Sequence, residues 1–274
     1  MRESLASPAP VGHIGSMRTL YFLPLVIGCA PPQAPVELDD IMSYLFEHHQ
    51  AWSTAALRQG TENLDTWLND HQDETWDGFQ VSPLSQEAVD ALDDTERDLT
   101  DLIGVAVGYD IPYTVEEVIE VVLFADPIEF NQGDVIEYER TIVEGTEECF
   151  AAKTCDTLSY QTAALGNYPL GLEVRSKTMN QYRWVATDMG DALVQRTWMT
   201  EPAESNWDSI NLEQQYYVVA SIPTEEGMRR VESGWVVMSL GDLPVPENIA
   251  LNLAIGTLTA FKDKVQAWKE AHPS

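Results

Sequence analysis

The sequence predicts an α+β fold, with a helical N-terminal part, a run of antiparallel strands and one long final helix. Six stretches within residues 135–240 alternate apolar and polar side chains and are separated by turn residues, which is typical of antiparallel strands. Residues 37–102 instead carry apolar side chains at spacings of three and four, which predicts helices. The chain ends in an amphipathic stretch, residues 246–271, that begins on a proline and predicts one long final helix.

The N-terminal part predicts a helical segment over residues 37–102. Its first helix is expected over residues 37–59, where Ile41, Leu45 and Trp52 share one stripe. A second helix is expected over residues 62–71. Residues 85–102 predict a third helix or two short ones among many acidic side chains.

The pattern changes at Ile103, where alternating apolar residues predict a strand. Thr114 and Glu117 have the spacing of a capping box, which predicts a helix over residues 115–124 despite its β-branched content. The strands that follow are predicted at residues 135–143, 157–164, 172–187, 192–200, 212–222 and 228–240. In the longest, Asn180, Tyr182 and Trp184 share one face and the charged residues the other.

Residues 1–28 resemble a bacterial lipoprotein leader. Arg18 precedes an apolar stretch, residues 20–27, that is too short to span a bilayer. Val26-Ile27-Gly28-Cys29 is similar to a lipobox, which implies that Cys29 is acylated and becomes the mature N-terminus. Since Met17 directly precedes Arg18, either Met1 or Met17 can be the start. The alternative is an ordinary signal sequence with a free Cys29.

The leader resemblance implies a protein of the cell envelope, held on the outer membrane and facing the periplasm. Two or three acyl chains anchor a domain stably, whereas one chain is marginal. Ala30 after the cysteine gives no signal for retention in the inner membrane, and the proline-rich residues 29–36 predict a semi-rigid tether.

The composition excludes some partners. The chain has 45 Asp and Glu against 15 Lys and Arg, a formal net charge of −30. Such a surface repels phosphate backbones, so we expect no nucleic acid partner. Asp93 and its acidic neighbours lack the spacing of a calcium loop.

Cys149 and Cys155 predict a disulfide. In an exported protein an even pair at this spacing most simply closes a small hairpin-like loop. No histidine or further cysteine nearby completes a metal tetrad.

The order of strand, capped helix, meandering strands and long final helix resembles the helix-grip fold of the StAR-related lipid transfer (START) superfamily. The segments that carry the resemblance are residues 109–118, 215–221 and 230–238. It implies a curved antiparallel sheet wrapped around the C-terminal helix, with residues 103–274 as one domain and residues 37–102 outside it.

The resemblance also implies an apolar ligand, such as a sterol or another lipid, between the sheet and the final helix. The residues expected to line that space are Asn180, Tyr182, Trp184, Trp198, Tyr217, Trp235, Leu251, Ile255 and Leu258. The alternative is that these aromatic residues fill a solid core.

No catalytic constellation is recognisable, so we expect no enzyme, no cofactor and no metal. The sequence has neither a Gly-x-Ser-x-Gly motif nor a glycine-rich phosphate loop. His48 and His49 could mark a metal site with Glu47, but adjacent helical residues do not face each other, and we interpret them as a solvated pair. The leading hypothesis is a lipid-anchored carrier. The alternatives are a structural or interaction lipoprotein with a possible envelope protein partner, and then a cyclase-type enzyme.

Overall fold

The computed structural model describes residues 33–50, 54–71, 78–168, 171–239 and 247–273, and only the backbone of Phe79, Ser239 and residues 247–258. The predicted leader and Cys29 lie outside the described residues. The helices are α1 (Leu38–Glu47), α2 (Ala55–Asp70), α3 (Gln86–Asp90), α4 (Val115–Phe124), α5 (Pro127–Phe130), α6 (Glu147–Ala151) and α7 (Glu247–Ala271). The strands are β1 (Phe79–Gln80), β2 (Ile103–Ile111), β3 (Val135–Glu144), β4 (Thr157–Tyr168), β5 (Leu172–Thr187), β6 (Gly190–Met199), β7 (Glu204–Ser205), β8 (Asn211–Thr224) and β9 (Gly227–Ser239).

The strands form one antiparallel sheet, and the predicted α+β, helix-grip fold class is confirmed. The order in the described part of the chain is β1-β2-β9-β8-β6-β5-β4-β3, with β7 paired to β5. The first long strand therefore lies beside the last one, and the curved sheet packs one face against α7. Each long predicted strand is present, and the predicted capping box of α4 is formed in both directions by Thr114 and Glu117.

The helical prediction for the N-terminal part is partly wrong. Residues 37–59 form two helices, because α1 ends at Glu47 and the chain turns at His48 and His49. The imidazole of His49 points into the sheet, where Nε2 lies 3.0 Å from the Val194 carbonyl oxygen. That long-range contact outweighs the periodicity that favoured one helix.

Residues 85–102 are helical only in α3. Asp93 and Asp98 accept the backbone N–H groups of Thr95 and Thr100 at 2.9 and 3.0 Å. Such local bonds offer the backbone an alternative to the helix, which explains the irregular conformation that follows α3.

The two faces of the sheet have different covers. We call the face that bears Tyr109, Tyr182 and Arg230 the inner face; α4, α6 and α7 pack on it. The inner core contains Val105, Val107, Tyr109, Ile111, Val115, Val118, Ile119, Leu123, Phe150, Leu158, Tyr160, Tyr182, Trp184, Leu193, Met228 and Val265.

The opposite, outer face is covered by the described parts of residues 38–102, the segment whose role the sequence left open. Its core joins the N-terminal helices to β6, β8 and β9. The members are Leu38, Ile41, Met42, Leu45, Phe46, Leu57, Leu64, Leu68, Val81, Leu84, Val89, Ala106, Val185, Val194, Trp198, Tyr216, Val218, Ala220, Ile222, Val231 and Trp235.

Polar groups at the edge of the outer core hold the N-terminal segment in place. Arg97 donates to both carboxylate oxygens of Asp93, at 2.7 and 2.8 Å, and to the Met199 carbonyl oxygen at 3.3 Å. Burial would raise the pKa of Asp93, but the hydrogen bonds from Arg97, Thr95 and Trp198 lower it overall. The carboxylate therefore stays charged and the loop after α3 is fixed to β6.

Candidate ligand-binding site

Four of the predicted site residues lie on the inner face. Tyr182 and Trp184 belong to the inner core, Tyr217 packs against it, and Asn180 is buried beside them on β5. Leu251, Ile255 and Leu258 lie in α7, but their side chains are outside the described part of the structure.

Trp198 and Trp235 were assigned to the wrong face. Both pair with Tyr216 on β8, so all three side chains share the outer face, and the next residue, Tyr217, points inward. The indole N–H of Trp198 donates to Asp93 at 3.0 Å, and that of Trp235 donates to the Ser82 carbonyl oxygen at 2.9 Å. These tryptophans bind the N-terminal segment and lie on the face of the sheet opposite the candidate site.

A polar row crosses the inner face of four neighbouring strands. Register places Tyr160, Asn180, Thr197 and Tyr217 side by side on β4, β5, β6 and β8. The Thr197 hydroxyl donates to Asn180 Oδ1 at 3.0 Å, and Asn180 Nδ2 donates to Thr178 Oγ1 at 3.0 Å. The floor under α7 is therefore partly polar, which suits a ligand with polar as well as apolar parts.

Gly234 extends this row because only glycine fits beside Tyr217. A Cβ at residue 234 would lie 2.7 Å from Tyr217 Cε1 and 2.9 Å from Cδ1. The ring of Tyr217 thus lies directly over the backbone of β9.

One end of the inner face is filled by Phe150 on α6. Its ring is fully buried, stacks 5.4 Å from Trp184 and meets Tyr182 edge-on at 6.1 Å. The predicted Cys149–Cys155 disulfide is present, with the two Cα atoms 5.6 Å apart, and closes the loop that carries Phe150 between β3 and β4.

A buried ion pair lies under the C-terminal half of α7. Arg230 Nε donates to Glu232 Oε1 at 2.6 Å, and Tyr109 donates its hydroxyl proton to the same oxygen. The ring of Phe261 covers the Arg230 guanidinium at 4.0 Å. Burial and the Glu232 charge raise the pKa of Tyr109, so this phenol keeps its proton.

A cavity of about 140 Å³ opens between α4, α5, β3, β4 and α7. Its walls are mainly apolar, and four residues add polar groups: Asn131, Tyr138, Arg140 and Tyr160. The apolar lining residues are Val121, Val122, Ala125, Pro127, Phe130 and Phe261. Phe130 meets Phe261 edge-on at 6.1 Å, which joins α5 to α7 across one side of the cavity.

Arg140 is the charged group of the cavity. Its Nη1 donates to the Leu123 carbonyl oxygen at 2.9 Å and to the Glu147 carboxylate, and its Nη2 donates to the Val122 carbonyl oxygen at 3.1 Å. Burial would lower the pKa of Arg140, but Tyr160, Tyr138 and Glu147 raise it overall, so the guanidinium remains charged. Arg140 thereby caps the end of α4 and places a cation at the cavity.

Two tyrosines stand against this guanidinium. Tyr138 accepts from Arg140 Nε at 3.2 Å, and the Tyr160 ring lies 4.7 Å from the guanidinium carbon. Tyr160 and Tyr182 share a hydrogen bond of 2.8 Å between their hydroxyl oxygens. Burial raises the pKa of all three phenols, that of Tyr182 to about 12, so they are neutral at physiological pH.

Sequence reasoning missed Arg140, Tyr138 and Tyr160. A usable signal existed, because Tyr138 and Arg140 lie two residues apart and must share a face of a strand. The glutamates that alternate with these residues in β3 are typical of a solvated strand, so the pattern did not indicate a buried site.

His49 is not solvated, contrary to the sequence-based interpretation. It is 3% exposed and lies beside the sheet on the outer face. Among the described residues no group of three or more His, Cys, Asp or Glu side chains could hold a metal ion.

Some solved structures resemble this chain, but their sequence identities and TM-scores are low. No protein-family model and no curated protein matches the chain. The protein TTHA0849 from Thermus thermophilus is 16% identical, with a TM-score of 0.37 over 60% of this chain and 97% of its own. A STAR-related lipid transfer protein fragment from Xanthomonas axonopodis is 12% identical, with a TM-score of 0.37 over 62% and 97%. Human STARD10 is 12% identical, with a TM-score of 0.38 over 76% and 83%. At these values the likeness carries no argument about function, which must come from the residues of this chain.

Proposed function

We propose that this protein binds a small, mainly apolar molecule between the sheet and α7, and that it acts as a lipid-anchored carrier in a bacterial cell envelope. The observation that supports binding is the cavity beside Arg140, since apolar walls with a few polar groups are typical of ligand sites. A dry apolar cavity of roughly 150 Å³ is known to accept benzene. The cavity here therefore has room for one ring, or for one segment of a larger lipid such as a sterol.

We propose binding without catalysis. Burial raises the pKa of Tyr138 and that of Tyr160, so the two phenols that line the cavity keep their protons. His49 lies on the outer face, on the far side of the sheet from the cavity. A general base at neutral pH is therefore not among the described residues that line this cavity.

Ligand binding is tested on the purified protein with a matched pair of variants. Ala125 lines the cavity, and Ala125→Leu fills part of it, whereas Ala271→Leu adds the same atoms at the exposed end of α7. We expect single-ring compounds, fatty acids or sterols to raise the melting temperature of the native protein and of Ala271→Leu but not of Ala125→Leu. If no compound raises the melting temperature of the native protein, the structural lipoprotein becomes the better account.

That second candidate is favoured by the filled end of the inner face. Phe150, Trp184 and Tyr182 pack there as in an ordinary solid core. In that case the acidic surface or the N-terminal helices would serve to bind another envelope protein.

Anchoring through Cys29 is the second part of the proposal and rests on the lipobox-like residues 26–29. Within the described residues no helix has both the length and the apolar content to cross a bilayer. We expect Cys29→Ser to move the protein from the membrane fraction to the soluble fraction, because the acyl chains provide most of the membrane affinity. Unchanged fractionation, with Cys149→Ser as the control cysteine variant, would refute the anchor.

A further inference from the structure

The polar groups at the cavity are nearly all hydrogen-bond donors. Arg140 has five N–H groups. Acceptors for four of them are present: the Tyr138 hydroxyl, the Leu123 and Val122 carbonyl oxygens and the Glu147 carboxylate. One N–H of Nη2 has no acceptor in the described part of the chain.

The tyrosines add two more donors. The Tyr138 oxygen accepts from Arg140, but its own proton has no acceptor among the described side chains and backbone. Tyr160 and Tyr182 share one hydrogen bond between their hydroxyl groups, which uses only one of their two hydroxyl protons. When Tyr182 donates, the proton left over is that of Tyr160, which lines the cavity.

Acceptors at the cavity are already occupied. The Asn131 amide oxygen accepts from Lys264 Nζ at 3.1 Å, and Glu147 is paired with Arg140. The described walls therefore present two half-buried donors without protein acceptors, from Arg140 and Tyr138, and a third from buried Tyr160 when Tyr182 is the donor of their shared bond. A donor that loses water on ligand binding without gaining an acceptor is costly. A ligand that fits this cavity must supply an acceptor oxygen.

Electrostatics decides between a neutral and an anionic acceptor. Glu147 neutralises Arg140, and the chain carries a formal net charge of −30. A carboxylate would lose its hydration in an apolar cavity without gaining an unpaired cation. A carbonyl oxygen accepts two or three hydrogen bonds at a much lower desolvation cost.

We propose that the cavity recognises a neutral carbonyl group, that of a ring-sized ketone, aldehyde, ester or lactone, through Tyr138, Tyr160 and Arg140. This inference rests on the proposed binding function and specifies the polar end of its ligand. The apolar part of the ligand lies against Val121, Phe130 and Phe261.

The test compares cyclohexanone, methylcyclohexane and cyclohexanecarboxylate on the purified full-length protein. Binding is measured by calorimetry, and the carbonyl of ¹³C-labelled cyclohexanone is observed by infrared spectroscopy. We expect the ketone to bind more tightly than the hydrocarbon and the carboxylate, and its stretching frequency to fall on binding as hydrogen bonds form.

Variants assign that shift to the cavity. Tyr138→Phe and Tyr160→Phe each remove one hydroxyl and keep the ring, so each should weaken ketone binding about 3- to 10-fold and leave methylcyclohexane binding unchanged. The matched control is Tyr168→Phe at the exposed end of β4, with no expected effect. The infrared shift on the unmodified protein is independent of how the variants fold.

The outcomes separate the inference from the proposed function. Equal affinity for ketone and hydrocarbon without a frequency shift overturns the carbonyl inference and keeps an apolar binding site. Tightest binding of the carboxylate overturns it in favour of an anion site. Absence of ketone binding while a fatty acid or sterol still raises the melting temperature also overturns the carbonyl inference. Absence of binding by these three compounds and by fatty acids and sterols refutes the proposed function itself.

Discussion

Trp198 shows how one hydrogen bond changes the role of a residue. Its indole N–H donates to the Asp93 carboxylate at 3.0 Å, and its ring is buried under the N-terminal segment. We expect Trp198→Phe to lower the free energy of unfolding by about 1.5–3 kcal/mol, the usual contribution of a hydrogen bond to a charged group. Urea denaturation measures this, with Trp207→Phe as an exposed control. Lost ligand binding at unchanged stability would return Trp198 to the site.

His49 makes the stability of the fold depend on pH. Burial, followed by the charge of Arg196, lowers its pKa to about 3 from the usual value of 6.5, and Arg183 adds to the effect. The folded state therefore holds His49 neutral, while the unfolded chain takes up a proton below pH 6.5. This contribution is complete above pH 6.5 and is lost as the pH falls towards 3, by up to about 1.4 kcal/mol per pH unit.

The pH prediction is checked by denaturation at several pH values between 7 and 5. His49→Gln retains a donor for the Val194 carbonyl oxygen but cannot be protonated, so its stability should fall less steeply over this range than that of the native protein. His272→Gln, exposed at the end of α7, should behave like the native protein. Parallel curves for native protein and His49→Gln would contradict the assignment.

The α6 loop is the element in which covalent and aromatic contacts act together. The disulfide closes a loop with a sequence separation of only six residues, so it should contribute less than the ~3 kcal/mol of a 15-residue loop. We expect a reducing agent to lower the melting temperature modestly, since Phe150 remains packed on Trp184. The double variant Cys149→Ala/Cys155→Ala should not respond to reduction. Complete unfolding on reduction would show that the disulfide, and not Phe150, holds this loop.

Local patterns were sufficient for the elements whose signals are local. Strand alternation and the Thr114 capping box depend on neighbours in sequence, and the long strands and α4 follow these local signals closely. The break between α1 and α2 depends on the long-range contact of His49 with β6, which no periodicity contains. The face on which Trp198 and Trp235 lie follows only from the register between strands. Alternation divides the residues of a strand between two faces, but it does not tell which face packs against α7.

The candidate site shows the same limit. Asn180, Tyr182 and Trp184 could be placed on one face because one long strand displays them there, but they are not among the described residues that line the cavity. Arg140 was missed because its partners, the carbonyl oxygens of Val122 and Leu123, come from the end of α4. The sequence around Arg140 is typical of a solvated strand, but the end of α4 binds its guanidinium and so keeps it at the cavity.

At the scale of the whole molecule, the central strands of the sheet are covered on both faces within one compact unit, Pro32–Ser274, whereas the edge strand β3 is largely exposed. The inner face is covered by α4, α6 and α7, and the outer face by residues 38–102. The outer core includes fully buried residues from the N-terminal segment, such as Phe46, and from the sheet, such as Val218 and Trp235. The N-terminal segment therefore contributes to the folding of the sheet as well as to any surface it presents.

This arrangement predicts what removal of the N-terminal segment does. A chain beginning at Ile103 would expose Val218, Val231 and Trp235 together, and an exposed apolar patch of that kind promotes aggregation. We expect this truncation to lose cooperative thermal unfolding and to elute as aggregates in size-exclusion chromatography. A chain beginning at Gln33 keeps the outer core and is the matched control, with an expected melting temperature equal to that of the full-length Cys29→Ser protein. A monomeric 103–274 fragment that melts at the same temperature as the control would instead make it an independent domain, and residues 38–102 would then be only an accessory cover.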